Sequence, residues 1–157
     1  MKRSSETLRI SDSEDLSSIL ALYSDLTPND IPFKDGQAQR IYQKILNDDS
    51  FMILVLELNH IIVSTCALSI IPNLTRGGMP YAVIENVVTK KEQRKKGYGS
   101  KIVKYAIEIA QRNGCYKIML LTGSKNESTH RFYHKLGFSS DNKTAYVIKK
   151  NVPKPAH

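Results

Sequence analysis

The chain has 157 residues, 41% of them hydrophobic and 24% charged, and it carries a net charge of +8. This composition is ordinary for one soluble globular domain, so we expect a single domain over residues 1–157 with an ordered core from about residue 7 to residue 150. No apolar run approaches the ~20 residues that a membrane-spanning helix needs, and the N-terminus lacks the apolar stretch of a signal peptide, which predicts a cytoplasmic protein without membrane contact. The positive charge favours a negatively charged partner, either a nucleic acid or a phosphate-rich cofactor.

The first half of the chain predicts one strand, two helices and a β-hairpin. Apolar residues recur at helical spacing after Ser11 and Ser13, either of which can cap a helix N-terminus, and the proline-containing segment Thr27–Pro32 ends that helix. Asn59 and His60 separate two runs rich in β-branched residues, as a two-residue hairpin turn does. In chain order the elements are a strand at Thr7–Ile10, a helix after Ser11 or Ser13, a helix at about Asp35–Asn47, and strands at Phe51–Leu58 and Ile61–Ile71.

The second half alternates strands and helices. A Rossmann-like half is the alternative for residues 81–148, but the preceding hairpin is antiparallel and no G-x-G-x-x-G follows the first strand. We therefore predict an α/β fold, with a mixed central sheet flanked by helices on both faces. The tail 151–157 is expected to fray. The elements are a loop at Pro72–Pro80, a strand at Tyr81–Thr89, a helix at Ser100–Asn113, a strand at Lys117–Thr122, a helix at Asn126–Leu136 and a last strand near Thr144–Ile148.

A glycine loop, Arg94-Lys95-Lys96-Gly97-Tyr98-Gly99, joins the strand Tyr81–Thr89 to the helix that opens at Ser100. Free N–H groups at a helix start bind anions, and the helix dipole adds to the attraction. Gly97 and Gly99 have no Cβ, so the backbone can approach a phosphate closely. The densest basic cluster, Lys90–Lys101, coincides with this loop, which favours a small phosphate ligand over a long nucleic-acid footprint. An ordinary strand-to-helix turn with a solvated basic surface is the alternative.

A second motif, N-x(5)-F-Y-x-K-x-G-F, runs from Asn126 to Phe138. Together with R-x-x-G-x-G after a strand, it resembles the GNAT superfamily of N-acetyltransferases. Within that superfamily, Ile84–Val88 and Gly114–Ile118 resemble the glucosamine-6-phosphate N-acetyltransferase branch. The chain departs from the common pattern at one position, because Lys95 stands where glycine usually follows the arginine. Residue 95 must therefore adopt a loop conformation that a lysine tolerates.

The resemblance implies acetyl-CoA as the acetyl donor and the GNAT fold. It also implies that the glycine loop holds the pyrophosphate, while the backbone of one strand pairs with the pantetheine arm and polarises the thioester carbonyl. A β-bulge would open the gap that admits the arm. Asn126 would bond the arm through its amide and could also cap the following helix. The cofactor-binding residues implied are Val87, Val88, Arg94, Lys95, Lys96, Gly97, Tyr98, Gly99, Ser100 and Asn126.

Two residues are candidates for proton transfer. Glu85 lies inside an otherwise apolar strand, where burial would raise its pKa and suit it to act as a base; it could instead bind the substrate amine or be a satisfied structural residue. Tyr133 occupies the position of the family's acid tyrosine and would protonate the leaving thiolate, since its phenol is a suitable donor. The alternative for Tyr133 is a core aromatic in the helical stripe that includes Phe132 and Leu136.

The remaining nucleophilic and metal-binding residue types give no second site. Cys66 and Cys115 have no matched base and no metal-ligand spacing, so we expect buried thiols, no acyl-enzyme and no metal. His130 and His134 share a helix face, but no H-E-x-x-H glutamate accompanies them, which favours a solvated face.

The acceptor is expected to be a primary amine of a small molecule such as an amino sugar, with Arg76 in the loop Pro72–Pro80 as a candidate contact. A protein or peptide amine is the enzymatic alternative. From other classes, a basic nucleic-acid-binding domain, which we disfavour, and a silent acyl-CoA sensor are kept as alternatives. The resembled branch often dimerises through its late strands, so a homodimer is left open.

Overall fold

The computed structural model describes residues 5–150 and contains a five-stranded sheet with the order β1-β2-β3-β4-β5. Neighbouring strands are antiparallel except β4 and β5, which are parallel, so the sheet is mixed as predicted. The prediction for the tail 151–157 lies outside the described residues. The elements are β1 (Glu6–Ile10), α1 (Leu16–Leu26), α2 (Gln37–Leu46), β2 (Phe51–Leu58), β3 (Ile61–Ile71), β4 (Tyr81–Thr89), α3 (Tyr98–Arg112), β5 (Ile118–Leu120) and α4 (Glu127–Lys135).

Helices cover both faces of the sheet because β2 and β3 are apolar on both sides. On β2, Leu54 and Leu56 pack toward α3, whereas Ile53 and Val55 pack toward α1 and α2. All four side chains are at most 4% exposed. Alternation along a strand sends successive side chains to opposite faces, and a strand apolar at every position needs cover on both of them.

The hairpin between β2 and β3 turns through Asn59 and His60, as predicted. Both residues have positive φ, 48° and 67°, which is the requirement of a two-residue turn whose twist matches the strands. Asparagine tolerates this conformation better than most residues. The turn therefore forms without glycine.

The start of α1 differs from the prediction. Asp15, rather than Ser11 or Ser13, precedes the first helical residue, and its side chain makes no capping bond to the helix. Its carboxylate instead accepts the Asp12 N–H at 2.8 Å and pairs with Arg9 of β1. The aspartate therefore ties the helix start to the sheet.

The last predicted strand, Thr144–Ile148, is wrong for the single chain, because residues 143–150 have no regular secondary structure. Tyr146 and Ile148 are 92% and 102% exposed. A strand needs the backbone of a neighbour, and β5 offers only Ile118–Leu120, shorter than the predicted Lys117–Thr122. No helix among residues 5–150 has the length and apolarity to cross a bilayer.

Candidate active site

A cleft of about 510 Å³ opens where β4 has separated from β5 and approaches the start of α3. Its walls come from three separate parts of the sequence: the last turn of α1, the stretch from the end of β4 through the glycine loop to the start of α3, and α4. The lining residues are Asp25, Leu26, Val87, Val88, Thr89, Gln93, Arg94, Lys95, Gly97, Gly99, Ser100, Phe132 and Tyr133.

The cleft exists because β4 and β5 separate. They pair only from Ala82 to Ile84 on β4, so the rest of that edge of β4 is unpaired within the described chain. On the other side, β3 pairs with Glu85 through Ala67 and with Val88 through Thr65. Asn86 and Val87 of β4 thus lie opposite the single residue Cys66 of β3. This two-to-one arrangement is a β-bulge in β4. The expected bulge and separation are both present.

The backbone of Val87 and that of Val88 point in opposite directions. The Val88 carbonyl accepts a hydrogen bond from the Ser64 hydroxyl of β3 at 3.1 Å, so it is directed into the sheet. Because backbone direction alternates along a strand, the N–H and C=O of Val87 face the open cleft. Of the two valines, Val87 can therefore pair with an extended ligand through its backbone, and Val88 contributes to the wall.

The start of α3 presents donors to the cleft. The first helical hydrogen bond runs from the Lys101 N–H to the Gly97 carbonyl at 3.1 Å, so the N–H groups of Tyr98, Gly99 and Ser100 have no partner within the helix. A Cβ on Gly99 would lie 3.3 Å from Thr89 Oγ1, so helix and strand approach closely here. These features fit a pyrophosphate group.

The basic side chains around the loop are partly engaged within the protein. Arg94 Nε donates to the Thr89 carbonyl at 3.0 Å, and Lys96 Nζ donates to Gln93 Oε1 at 3.0 Å. Lys101, the last residue of the basic cluster, pairs with Glu6 of β1 at 2.7 Å. Lys95 lines the cleft and has φ +62°, a conformation that favours glycine. The loop thus has the geometry of a glycine position at residue 95.

Tyr133 enters the cleft from α4. Its ring lies between two phenylalanines, with centroids 4.9 Å from Phe132 and 6.1 Å from Phe138 in edge-to-face contacts. Burial, followed by the nearby Cys66 and Glu85, raises the pKa of Tyr133. A raised pKa keeps the phenol protonated and able to donate. Tyr133 therefore packs in the aromatic stripe of α4, as the alternative interpretation predicts. Its ring also lines the cleft.

Glu85 lies on β4 immediately before the bulge, but it is exposed. The expectation that burial prepares it as a base is therefore wrong in its premise, because β4 separates from β5 at this point. Glu85 also does not line the cleft described above. Its role as a base or as a ligand of the substrate amine stays a prediction.

Three predicted cofactor residues lie outside the cleft lining. Asn126 is the N-cap residue of α4, as predicted, but its side chain makes no capping bond and it is exposed. Tyr98 packs against the core on the α3 side and lies under Lys101 Nζ, 5.6 Å from the ring centroid. Lys96 is exposed beside Gln93.

The cysteines and histidines behave as structural residues. Cys66 is fully buried, and burial raises the pKa of its thiol to about 12; burial also raises the pKa of Cys115. His134 is exposed, as the prediction of a solvated face holds, whereas His130 is partly buried; each bonds a backbone carbonyl, at 3.0 and 3.1 Å respectively. Within residues 5–150 no group of three or more His, Cys, Asp or Glu side chains could hold a metal ion.

The loop with Arg76 lies between β3 and β4, at the start of β4, whereas the cleft forms at its end. Arg76 stacks over Tyr116 at 5.9 Å. About seven strand residues, each rising ~3.3 Å, separate Tyr81 from Val88. The structure therefore does not bring Arg76 to the cleft of its own chain.

Sequence reasoning missed the contribution of α1. Asp25 and Leu26 line the cleft from its last turn, and Asp25 Oδ1 pairs with Lys91 Nζ at 3.3 Å. Nothing in their local pattern distinguishes them from other residues at a helix end. The signal that could have found them is the topology, since α1 packs on the face of the sheet where Val88 of β4 is buried.

Comparisons with known proteins agree with this geometry. The model of the acetyltransferase (GNAT) family matches residues 16–138. A glucosamine 6-phosphate N-acetyltransferase of Trypanosoma brucei brucei is 39% identical over 77 residues, which are 49% of this chain and 50% of that protein. The chain thus spans half the length of this curated relative.

Solved structures share the whole architecture. A putative acetyltransferase from Agrobacterium tumefaciens str. C58 is 41% identical with a TM-score of 0.87, covering 92% of this chain and 99% of that one. The glucosamine-6-phosphate N-acetyltransferase of Arabidopsis thaliana is 26% identical with a TM-score of 0.79, covering 94% and 99%. With the family model matching most of its length, this chain belongs to the acetyltransferase (GNAT) family.

Proposed function

We propose that this enzyme transfers an acetyl group from acetyl-CoA directly to a primary amine of a small molecule such as an amino sugar. The observation that carries the proposal is the composition of the cleft. The open backbone of Val87, the N–H groups at the start of α3 and the Tyr133 ring line one space. Acetyl-CoA supplies the thioester that is cleaved, and the residues of the chain bind, orient and exchange protons.

The cofactor would be held at two places. The N–H groups of Gly99 and Ser100, with the charge of Arg94 and Lys95, suit the pyrophosphate. The N–H and C=O of Val87 suit the amide groups of the pantetheine arm, and the N–H can also donate to the thioester carbonyl oxygen. Further predicted contacts, which stay proposals, are Val88, Lys96, Gly97, Tyr98 and Asn126.

Two proton movements accompany the transfer. The acceptor amine must be neutral to attack, and Glu85 at the bulge would either take its proton, directly or through water, or hold the ammonium form before it loses the proton. The sulfur that leaves must gain a proton or a hydrogen bond, and Tyr133 would donate it. Because the pKa of Tyr133 is raised, its hydroxyl stays protonated at neutral pH and can donate.

Direct transfer is favoured over an acyl-enzyme. The Cys66 thiol lies behind the bulge in the core, where its pKa of about 12 leaves almost no thiolate at neutral pH, and the thiolate is the nucleophile. Its Sγ contacts the Ile102 carbonyl at 3.8 Å. No step of the proposed reaction uses a cysteine.

An amino-sugar phosphate is the acceptor we favour. Two similar proteins are named glucosamine 6-phosphate N-acetyltransferases, and the net charge of +8 attracts an anionic substrate. Because Arg76 lies at the far end of β4, it would contact an acceptor in this cleft only if another copy of the chain supplied it. Retained acetylation of glucosamine 6-phosphate by Arg76→Ala would remove that assignment for Arg76.

The decisive experiment is a thermal-unfolding titration with acetyl-CoA, followed by a thiol-release assay. A ligand at 100 times its Kd adds about 2.7 kcal/mol of stability, so acetyl-CoA should raise Tm, whereas a short DNA duplex should not. Glucosamine 6-phosphate, glucosamine and a short peptide are then compared as acceptors. No shift at millimolar acetyl-CoA would contradict the proposal, and a shift without turnover of any amine would favour an acyl-CoA sensor.

We also propose a homodimer, located in the cytoplasm, in which residues 144–148 of one chain pair with the exposed edge of β5 of another. Tyr146, Val147 and Ile148 are exposed apolar residues, and Leu121 beside β5 is 53% exposed. One chain has both an unpaired strand-forming segment and an unpaired sheet edge. Exchange of the segment between two copies would give each of them a hydrogen-bonding partner.

A further inference from the structure

The bulge in β4 decides which backbone groups face the cleft. Before the bulge, the Ala82 N–H donates to the Lys117 carbonyl next to β5 at 3.0 Å, so even-numbered residues face β5. After it, the Lys90 N–H donates to the Val63 carbonyl of β3 at 2.8 Å, so even-numbered residues face β3. Backbone direction alternates from residue to residue, so the odd-numbered Val87 faces the cleft after the bulge. Without the one extra residue of the bulge, the Val87 backbone would face β3.

The side chains of β4 record the same change of phase. Ala82 and Ile84 pack on the α3 face of the sheet, and an uninterrupted strand would send Val88 to that face as well. Instead Val87 packs on the α3 face, and Val88 is buried on the α1 face. A shift of one residue reverses every side chain beyond it. Backbone and side chains therefore locate the change at Asn86.

Asn86 has φ +52°, the left-handed conformation for which one type of bulge uses glycine. Asparagine is among the few other residues that adopt it readily. Its amide lies beside the hydroxyl of Tyr23 on α1, where burial raises the Tyr23 pKa to about 12 and bonding to Asn86 opposes that rise. The side chain is otherwise exposed, so the backbone conformation, rather than packing, is what sets this residue apart.

We infer that Asn86 is a positioning residue for acetyl transfer: its left-handed conformation holds the bulge and thereby turns the Val87 N–H and C=O toward the acyl cofactor. The inference rests on the proposed function, in which acetyl-CoA occupies the cleft. Asn86 itself need not touch the reacting atoms. Its contribution is the direction of the backbone one residue later.

The test compares Asn86→Gly, which adopts the left-handed conformation freely, with Asn86→Ala, which does not. The matched control is Asn59→Ala, because Asn59 also has a positive φ of 48° but lies in the β2–β3 turn away from the cleft. We expect Asn86→Gly to keep kcat/KM for acetyl-CoA within about threefold. Asn86→Ala should lower kcat about 100-fold, the lower end of the effect of losing an oxyanion donor, while Asn59→Ala loses stability without losing kcat.

Two results would overturn the inference. One is an Asn86→Ala enzyme whose kcat matches that of Asn59→Ala. The other is an Asn86→Gly enzyme as impaired as Asn86→Ala, which would assign the effect to the amide side chain instead of the backbone.

A cofactor-free measurement separates this inference from the proposed function. Amide hydrogen exchange should be faster at Val87 than at Val88 in the unsubstituted chain and in Asn86→Gly, and this contrast should disappear in Asn86→Ala. An unchanged contrast in Asn86→Ala would count against the role of Asn86 whatever the enzyme's activity. A lost contrast, in a protein that nevertheless binds no acetyl-CoA, would support the inference about the bulge and contradict the proposed function.

Discussion

Lys95 holds a backbone conformation that costs free energy in a residue with a side chain. Its φ of +62° lies in the left-handed region, which costs an L-residue roughly 1–2 kcal/mol. The side chain makes no compensating hydrogen bond within the described residues, and the residue lines the cleft. Strain retained at a binding loop is consistent with a requirement for the backbone shape itself.

We expect Lys95→Gly to raise the free energy of unfolding by about 0.5–1 kcal/mol, because glycine relieves the strain, although it loses more chain entropy on folding than lysine does. Lys95→Ala should bring no gain, since alanine keeps the Cβ. Urea unfolding of the three proteins measures this. Equal stabilities for the glycine and alanine variants would show that the loop is not strained at this position.

Tyr133 is the residue whose substitution should separate binding from chemistry. Tyr133→Phe keeps the edge-to-face packing with Phe132 and Phe138 but removes the proton, so kcat should fall about 100-fold, within the usual range for a general acid, while the Kd of acetyl-CoA stays nearly constant. Tyr105→Phe is the control, because Tyr105 is a residue of α3 that packs against the core and does not line the cleft. A kcat for Tyr133→Phe that equals the control would make Tyr133 a packing residue only.

The pH dependence follows from the raised pKa of Tyr133. An acid must be protonated to act, so its activity is lost as pH rises through its pKa. Because the folded-state pKa lies above the usual value for tyrosine, about 10, this residue should not limit kcat below pH ~10. A Tyr133-dependent decline of kcat between pH 7 and 9 would contradict the assignment.

At the scale of elements, the sequence predicted the strands and helices whose apolar residues recur because they face the core. β2, β3 and α3 each have a dense apolar pattern because they fill the core, and their positions agree closely with the prediction. Prediction failed where a neighbour decides the outcome. Glu85 is exposed because β4 departs from β5, and Thr144–Ile148 stays unpaired because β5 is short. Neither cause is visible in the local pattern.

The candidate site divides in the same way. The glycine loop could be predicted because it needs free N–H groups at a helix start, which a strand–glycine–helix order provides. The engagement of Lys101 by Glu6 could not, because these residues are 95 positions apart and meet only in the folded sheet. The position of the bulge at Asn86 likewise depends on the register between β3 and β4.

The link between α1 and the sheet is an ion pair with a defined pH dependence. Arg9 of β1 pairs with Asp15 at 2.6 Å and with Glu57 of β2 at 2.8 Å. Burial alone would raise the pKa of Asp15, but hydrogen bonds from Arg9 and the Asp12 N–H outweigh it, so the pKa is lowered. The stabilisation is therefore complete above the unfolded pKa of about 3.9 and is lost as pH falls through the lower folded value.

Asp15→Asn should lower the free energy of unfolding by about 2 kcal/mol at pH 7, the scale of a charged hydrogen-bonded pair. The difference from the unsubstituted chain should shrink as pH falls below about 4. Asp12→Asn is the matched control, because Asp12 is an exposed partner of Arg9 at 3.4 Å and such pairs contribute below about 1 kcal/mol. Urea unfolding across pH distinguishes the two, and a difference for Asp15→Asn that does not depend on pH would refute this account.

For the whole molecule, the exposed apolar segment Tyr146–Ile148 and the open edge of β5 raise the question of assembly. The segment presents exposed strand-forming residues, and the edge of β5 presents unpaired backbone groups. A single copy leaves both unsatisfied in the described chain, which natural sheets generally avoid. The proposed association of two copies would satisfy both with the same contact.

Val147→Pro should therefore convert a dimer into a monomer in sedimentation experiments, since proline removes a donor that strand pairing uses. Val147→Thr is the matched control, because threonine keeps the branched shape that strands favour. A Val147→Pro protein that sediments like the unsubstituted chain would exclude pairing through this segment.

The burial of Cys66 has a practical consequence for enzymology and for folding. The chain has two cysteines, and the one behind the bulge is sealed from reagents in the native state, so a colorimetric thiol assay of coenzyme A release has at most Cys115 as protein background. The same sealing makes Cys66 a built-in reporter of opening. Under conditions of fast reclosing, its labelling rate measures the population of the opened state, and the slowing of that labelling by acetyl-CoA would report binding from inside the core.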